Sequence, residues 1–359
     1  MRLSIISFTE NGKRLSVDIL RKCGAADIQI MLYTKHNSHE SANDAHSIRY
    51  VESALGEWTK AQLCEKNALL FIGACGIAVR AVAPYLTDKL HDSPVLVMDE
   101  KGRYVIPILS GHMGGANELA VWLSERTGAE PVITTATDLN GVFSVDLFAK
   151  RNGLAVINKE GIAKVSARVL AGEEIRLCIE RVEDIAAGIL SESLCLPPEV
   201  CIVSYPPDQP IDVLITSKRE TYDAVLLLKP KRYAIGLGCK KGKQAEEIEQ
   251  LVKKHLDSLG ISKEQIFALA SISQKQEEQG IIEWCRRADI PFWVYTAEEL
   301  QSVEGDFRKS DFVMQTVGVD NVCERAALRA CGDGGQLISP KYAEDGMTIA
   351  IARAVFNRI

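Results

Sequence analysis

Short apolar runs alternate with amphipathic stretches along most of the chain. Residues 3–8, 28–33, 68–72, 95–98, 104–109 and 131–134 have the length and composition of buried strands. Between them lie helical patterns. Ala116, Leu119, Ala120 and Leu123 make one apolar stripe, and Gly128 supplies a stop. Such alternation predicts a largely parallel sheet covered by helices. Residues 175–180, 200–205, 213–216 and 224–228 read as further strands, punctuated by Pro197-Pro198 and Pro206-Pro207. Leu228-Lys229-Pro230-Lys231-Arg232 reads as a linker, because a proline among cations neither continues a strand nor starts a core. After it β-α alternation resumes, with a strand at 233–237. Capping pairs are expected at Ser262/Gln265, Ser273/Gln276, Thr296/Glu299 and Asn321/Glu324.

The expected fold class is therefore α/β in three parts. An N-terminal parallel-sheet α/β domain spans 1–140, and a small α+β middle domain 141–230. A C-terminal three-layer α/β/α domain spans 231–359. The length of 359 residues suits two or three domains.

Composition removes several classes. The net charge is −6, and no third of the chain is basic enough for a nucleic-acid footprint. No run approaches the ~20 apolar residues of a membrane span, and residues 3–8 are too short for a signal-peptide core. Ten cysteines without a CxxC pair indicate neither a zinc knuckle nor a disulfide framework. The expectation is a cytoplasmic protein with reduced thiols and no metal of its own. His36, His39 and His46 lie in a polar stretch without a trustworthy ligand spacing.

Candidate chemistry gathers in loops that follow strands. The first runs from Gly73 through Cys75 and Gly76 to Arg80. Its glycines let backbone approach a ligand, helix N-terminal amides can meet an anion, and Arg80 offers a bidentate carboxylate contact. A tight turn with a solvated arginine is the plainer alternative. The second, Ser110-Gly111-His112-Met113-Gly114-Gly115-Ala116-Asn117-Glu118, is the most informative. A histidine between glycines projects from a loop, and its near-neutral pKa suits proton transfer. Glu118 is expected to orient it and Asn117 to donate to an oxyanion; a turn histidine capping a helix is the alternative. The third gathers Thr135, Thr137 and Asp138 at a strand end, as polar contacts for a ligand or as a helix-capping turn. If the strands are parallel, all three loops share the carboxyl rim where open α/β sheets bind ligands. A mixed-charge turn around Lys89 and His91 adds a weaker candidate. In the last third, Gly236, Gly238, Lys240 and Lys241 form a strand-to-glycine-loop transition without dinucleotide or P-loop spacing. Its lysines can hold carboxylates as point charges. Cys239 and Cys323 read as reactive thiols or, more commonly, small buried apolar residues.

Together these segments resemble the cobalt-precorrin-5A hydrolase (CbiG) family of anaerobic cobalamin biosynthesis. The matching stretches are FIGACGIAVRAVAPYLTDK from Phe71, PILSGHMGGANELA from Pro107, ITTATDLNGVFSVDLFAK from Ile133, IGLGCKKG from Ile235 and GVDNVCERAAL from Gly318. The middle of the chain matches weakly. The resemblance implies hydrolysis of a δ-lactone in a cobalt-bearing tetrapyrrole and loss of a two-carbon unit as acetaldehyde, giving cobalt-precorrin-5B. It implies His112 as general base with Glu118 in support, and a covalent route through Cys75 as the alternative. Carboxylate arms of the substrate would meet Arg80, Lys89, Lys240 and Lys241. Gly73, Gly76, Ser110, Gly111, Gly114, Gly115, Asn117, Thr135, Thr137, Asp138 and Gly238 would line the substrate. No cofactor is expected, since cobalt arrives within the substrate. Partners would be the cobalt-tetrapyrrole and neighbouring enzymes of the pathway, with room for a homo-oligomer and no nucleic acid or membrane. A non-catalytic tetrapyrrole carrier is the second class. A methyltransferase or reductase of the same pathway is a third, disfavoured by the missing nucleotide fingerprint.

Overall fold

A computed structural model describes residues 1–24, 28–36, 48–87, 92–180, 196–219 and 221–355. The chain divides into two compact units, Met1–Leu147 and Phe148–Ile359. Both are α/β, with mixed sheets. His39, His46, Lys89 and His91 lie outside the described residues.

The first unit is built on one seven-stranded sheet. Its strands are β1 (Arg2–Ser7), β2 (Gln29–Thr34), β3 (Arg49–Tyr50), β4 (Ala68–Ile72), β5 (Val95–Met98), β6 (Tyr104–Leu109) and β7 (Glu130–Pro131), in the order β3-β2-β1-β4-β5-β6-β7. Alternation along the strands feeds two cores. Leu3, Ile5, Leu70 and Ile72 face Val17 and Ile19 of helix α1 (Glu10–Cys23). Leu119 and Leu123 of a later helix, Ala116–Thr127, join the same cluster. Ile6, Leu69 and Phe71 face the other way, onto Trp58 of α2 (Leu55–Cys64) and Ala78 and Val82 of α3 (Cys75–Val82). Ala116–Thr127 is α4. Burial on both faces is why these strands read as unbroken apolar runs.

Strand direction corrects the sequence reading. β3, β2, β1, β4 and β5 are mutually parallel. β5 and β6 are antiparallel, pairing Val95 with Leu109 and Met98 with Val105. β7 then runs parallel to β6. The cause is the short connection between β5 and β6, since a parallel return needs a crossover of roughly a dozen residues. Asp99 organises that turn. Its carboxylate accepts the amides of Lys101, Arg103 and Tyr104, and Gly102 takes a positive φ of 65°. Burial works against the charge, yet these amides hold the carboxyl below its ordinary range.

The second unit carries two five-stranded sheets. In the first, β8 (Leu154–Val156), β9 (Ile175–Ile179), β10 (Val200–Val203), β11 (Ile211–Ile215) and β12 (Ala224–Pro230) take the order β10-β9-β11-β12-β8, with only β8 antiparallel to its neighbour. In the other, β13 (Tyr233–Cys239), β14 (Ile266–Ile272), β15 (Phe292–Tyr295), β16 (Gln336–Glu344) and β17 (Met347–Arg353) take the order β15-β14-β13-β17-β16. The expected linker is structured. Pro230 closes β12 opposite Leu154, and Lys229 and Arg232 are buried. Proline is tolerated there because it ends the strand.

Two further expectations change. Gly236 and Gly238 lie within β13, not in a loop. A Cβ at Gly236 would sit 1.8 Å from the Cys323 carbonyl oxygen, so this glycine serves close helix-on-strand packing. A Cβ at Gly238 would meet the Thr348 hydroxyl at 2.6 Å. The Ser273/Gln276 capping pair also does not form. Ser273 instead opens the short 3-10 turn Ser273–Lys275. The capping boxes at Ser262/Gln265 and Thr296/Glu299 are present, while Asn321, one residue ahead of the N-cap Val322, bonds the backbone amide and side chain of Glu324.

Candidate functional site

The antiparallel turn sends the three candidate loops of the first unit to two different rims. Gly73 follows Ile72 beside the end of β5, and its amide donates to Met98. Ser110 follows Leu109 beside the start of β5, and residues after Pro131 leave the sheet on that same side. The expectation that all three share one rim is overturned. Gly73, Cys75, Gly76 and Arg80 occupy one rim; Ser110–Asn117 and Thr135–Asp138 occupy the other. A strand height of about 10 Å separates the rims.

The loop from Ser110 to Gly115 is held closed by its own backbone. The Ala116 amide donates to Ser110 carbonyl oxygen, Asn117 to Gly111, and Gly115 to His112. These bonds use the first amides of α4, so Ala116 and Asn117 do not offer their N–H groups to an anion. That limits the expectation of an amide-built oxyanion site in this loop. Two residues carry positive φ here: Gly115 at 86°, as the residue before α4, and Ser110 at 57°. A non-glycine in that region is strained. Gly114 has no room for a side chain, since its Cβ would lie 2.3 Å from that of Ser110. Gly111 likewise leaves space for the Asn117 amide, which a Cβ would meet at 2.8 Å.

The loop presents His112 to the segment that follows β7. That segment forms two short helices, α5 (Ala136–Asn140) and α6 (Val145–Arg151). Asp138 lies on the first and Asp146 opens the second. The imidazole sits between them. Nε2 lies 3.0 Å from Asp138 Oδ2, and Nδ1 lies 3.3 Å from Asp146 Oδ2. Thr137 Oγ1 is 3.3 Å from Nε2, and Ser144 Oγ is 3.2 Å from Nδ1. Asp146 is itself anchored, accepting from Ser144 Oγ at 2.7 Å and from the Leu147 amide at 3.0 Å. The side chains of His112 and Asp146 are each 11% exposed, whereas that of Asp138 is 31% exposed. Asn117 completes the group, its amide donating to Asp138 at 2.6 Å and to Thr135 Oγ1 at 3.0 Å.

Electrostatics follow from this arrangement. The hydrogen bond that the ring donates to Asp146 raises the imidazole pKa above its ordinary value, against burial and with the charges of Asp146 and Asp138 adding to the rise. Burial alone would raise the Asp146 carboxyl, but the bonds from His112 and Ser144 outweigh it and bring the value down to about 2. The group is an imidazole clasped by two carboxylates that favour its protonated form, with one anchored side and one more exposed side.

The sequence reading placed Glu118 as the partner of His112. The ring's contacts are to Asp146 and Asp138, and Glu118 is exposed in the first turn of α4. Asp138, Thr137, Thr135 and Asn117 are brought to the histidine. Asp146 and Ser144 were missed, although both stand in the segment Val142-Phe143-Ser144-Val145-Asp146. An aspartate in the first turn of a helix reads as a dipole partner, which hides its other use.

On the opposite rim Cys75 is exposed at the start of α3, and the Arg80 guanidinium folds over Gly76, 3.3 Å from where a Cβ would be. In the second unit, Lys240 lies along Gly346 while Lys241 lines a cavity. Cys323 is buried and its thiol is pushed up to about 11. Cys239, half-buried, is also raised by burial. Neither thiol is set up as a nucleophile. Among the described residues no group of three or more His, Cys, Asp or Glu has the geometry of a metal site. No helix among them is long and apolar enough to cross a membrane.

An imidazole with a buried carboxylate on one nitrogen and a more exposed one on the other has the chemistry to take up and release a proton. The models of cobalamin synthesis G match this chain in two places, the N-terminal model over residues 57–138 and the C-terminal model over 233–352. The chain is 32% identical to the cobalt-precorrin-5A hydrolase of Priestia megaterium over 364 aligned positions, covering 97% of this chain and 94% of that protein. It is 34% identical to the Salmonella typhimurium cobalt-precorrin-5A hydrolase, covering 80% and 82%. A solved cobalamin biosynthesis protein G homolog from Sulfolobus solfataricus aligns with 98% of this chain and 96% of its own at 25% identity, with a TM-score of 0.41. The chain belongs to the cobalamin synthesis G (CbiG) family.

Proposed function

We propose that this chain opens the δ-lactone of cobalt-precorrin-5A and releases the two-carbon unit as acetaldehyde, leaving cobalt-precorrin-5B. The relatives' names supply the substrate, and the clasped His112 is the observation that carries the chemistry. Asp146 fixes Nδ1–H, so Nε2 is the face that exchanges protons. Substrate entry moves Asp138, the more exposed carboxylate, off that face. Nε2 then takes a proton from water as the oxygen attacks the lactone carbonyl, and returns it to the departing C20 oxygen. The same nitrogen next removes the proton of the C20 hydroxyl. The bond between C20 and the ring carbon breaks, acetaldehyde leaves, and the electron pair enters the conjugated macrocycle. Protonation of the ring carbon completes the balance. The ligand is the electron sink, so the protein supplies positioning and proton transfer.

Oxyanion stabilisation falls to side chains. The Asn117 amide, released from Asp138, is the first donor, worth about 3–4 kcal/mol in comparable sites. Ser110 Oγ is buried and has no hydrogen-bond partner among the described residues. A ligand oxygen would satisfy it, removing an unmatched-group cost of about 1–3 kcal/mol. The cobalt is substrate here, carried in by the tetrapyrrole. Incubating the full chain with cobalt-precorrin-5A and assaying acetaldehyde tests the proposal. Binding without acetaldehyde would leave the carrier reading in its place.

A further inference from the structure

Lysine is almost never buried without a partner, because its ammonium gives up water and gains nothing in exchange. The second unit holds such a lysine. Lys229 lies in β12, opposite Ala155 of β8 and one residue before Pro230. Side chains two apart share a face of a strand, so Lys229 follows Leu227 on one face of the sheet. Leu227 packs there against Cys178, Ile211 and Leu214. Lys229 is only 7% exposed, and its amine has no hydrogen bond or ion pair among the described residues.

Two charged groups act on it from neighbouring segments. Glu264 belongs to the turn Lys263–Gln265, and Arg219 to the stretch after β11. Burial holds the amine below its ordinary 10.5; Glu264 opposes the fall and Arg219 adds to it. A carboxylate in contact would keep the ammonium charged and inert, and none is in contact here. A lysine desolvated among apolar groups and close to another cation is set up to attack carbonyl carbon.

We propose that Lys229 is a carbonyl-reactive site, which takes up a small aldehyde as an imine. The neutral Nζ adds its electron pair to the carbonyl carbon, and its proton passes to the carbonyl oxygen. The carbinolamine then loses water and leaves a C=N bond. Nothing is oxidised or reduced, and water reverses the step. Burial limits the ligand to a few heavy atoms, which suits acetaldehyde. Acetaldehyde is the product in the function proposed above, so the choice of aldehyde rests on that reading; the reactivity of the amine does not.

The test is to incubate the full chain with acetaldehyde and sodium cyanoborohydride, which reduces the imine to a stable ethylamine, and to locate the ethyl groups by peptide mass spectrometry. Near neutral pH, Lys229 should be ethylated at least about threefold faster than the exposed Lys60 and Lys101. The ratio should shrink as pH rises toward 10.5, where the exposed amines also lose their protons. It should vanish in guanidinium, because folding creates the burial. Labelling of Lys229 no faster than that of Lys60 would overturn the site, as would a preference that survives unfolding. Release of acetaldehyde from cobalt-precorrin-5A is read in a separate assay. A chain that labels at Lys229 without that release keeps the site and loses the proposed function, and release without labelling does the reverse.

Discussion

The two rims of the first sheet look alike in sequence and differ in what they assemble. Each has a strand, a glycine-bearing turn and a helix. At one rim the turn after β4 leaves Cys75 exposed and stacks Arg80 over Gly76. At the other, the turn after β6 places His112 within 3.3 Å of two aspartates from a different segment. Local pattern marks where a loop can host chemistry. Strand direction decides which loops meet. His112 takes its carboxylate partners from 26 and 34 residues away in sequence, on the rim to which the reversed β6 and β7 lead.

If the histidine rim is the catalytic one, His112→Ala should have the largest effect. General acid–base groups contribute about 10²–10⁴-fold, and acetaldehyde release should fall by at least that range. Undiminished release would move the chemistry elsewhere. Asp146→Asn should come next, costing about 10²-fold in kcat with little change in KM, because it orients the ring and does not touch substrate. It also has a signature that a merely structural residue lacks. Wild-type activity should fall as pH drops through an imidazole pKa above the ordinary 6.5, because the base is then protonated. Removing the carboxylate that favours the imidazolium should move this limb to lower pH. An unmoved limb would sever Asp146 from the ring's titration.

The same clasp stabilises the fold within a pH window. The Asp146 carboxyl sits at about 2, below its ordinary 3.8, so its contribution is full above that ordinary value and is lost as pH falls toward 2. The His112 imidazole is raised, so its contribution is full below 6.5 and is lost as pH rises through the folded value. Wild type should therefore exceed His112→Ala most at about pH 5–6, by about 1–3 kcal/mol in denaturant unfolding. The gap should narrow in alkali. A gap independent of pH would mean that the pair carries no charge interaction.

Much of this was legible in the residues. The strands at Ala68–Ile72 and Val95–Met98 fall where apolar runs predict them, because both faces are buried, and Tyr104–Leu109 falls in place although only Val105 of it is fully buried. His112 stands out for the opposite reason, as a titratable group among glycines. Direction was harder to see, since parallel and antiparallel strands have the same apolar signature. The signal was nevertheless present in the five residues Asp99-Glu100-Lys101-Gly102-Arg103, a turn too short for a crossover. Gly236 misled in another way. A glycine in a strand is written identically whether backbone meets a ligand or, as here, a helix carbonyl. Asp146 was hidden because its partner is far away in sequence, and long-range pairing leaves no local periodicity.

The smallest expected effect separates the rims most cleanly. Cys75 was the alternative nucleophile, and it is exposed at the start of α3. It stands on the far rim from His112, however, across a strand height of about 10 Å. A nucleophilic thiol needs a base within roughly 3 Å in the reacting complex. Cys75→Ser should therefore release acetaldehyde within about twofold of wild type, since surface substitutions seldom change stability by more than about 0.5 kcal/mol. Iodoacetamide labelling of Cys75 should be equally harmless to turnover. A loss of rate comparable with that of His112→Ala would return the chemistry to the rim that the parallel strands build, and His112 would then be reduced to a structural clasp between Asp138 and Asp146.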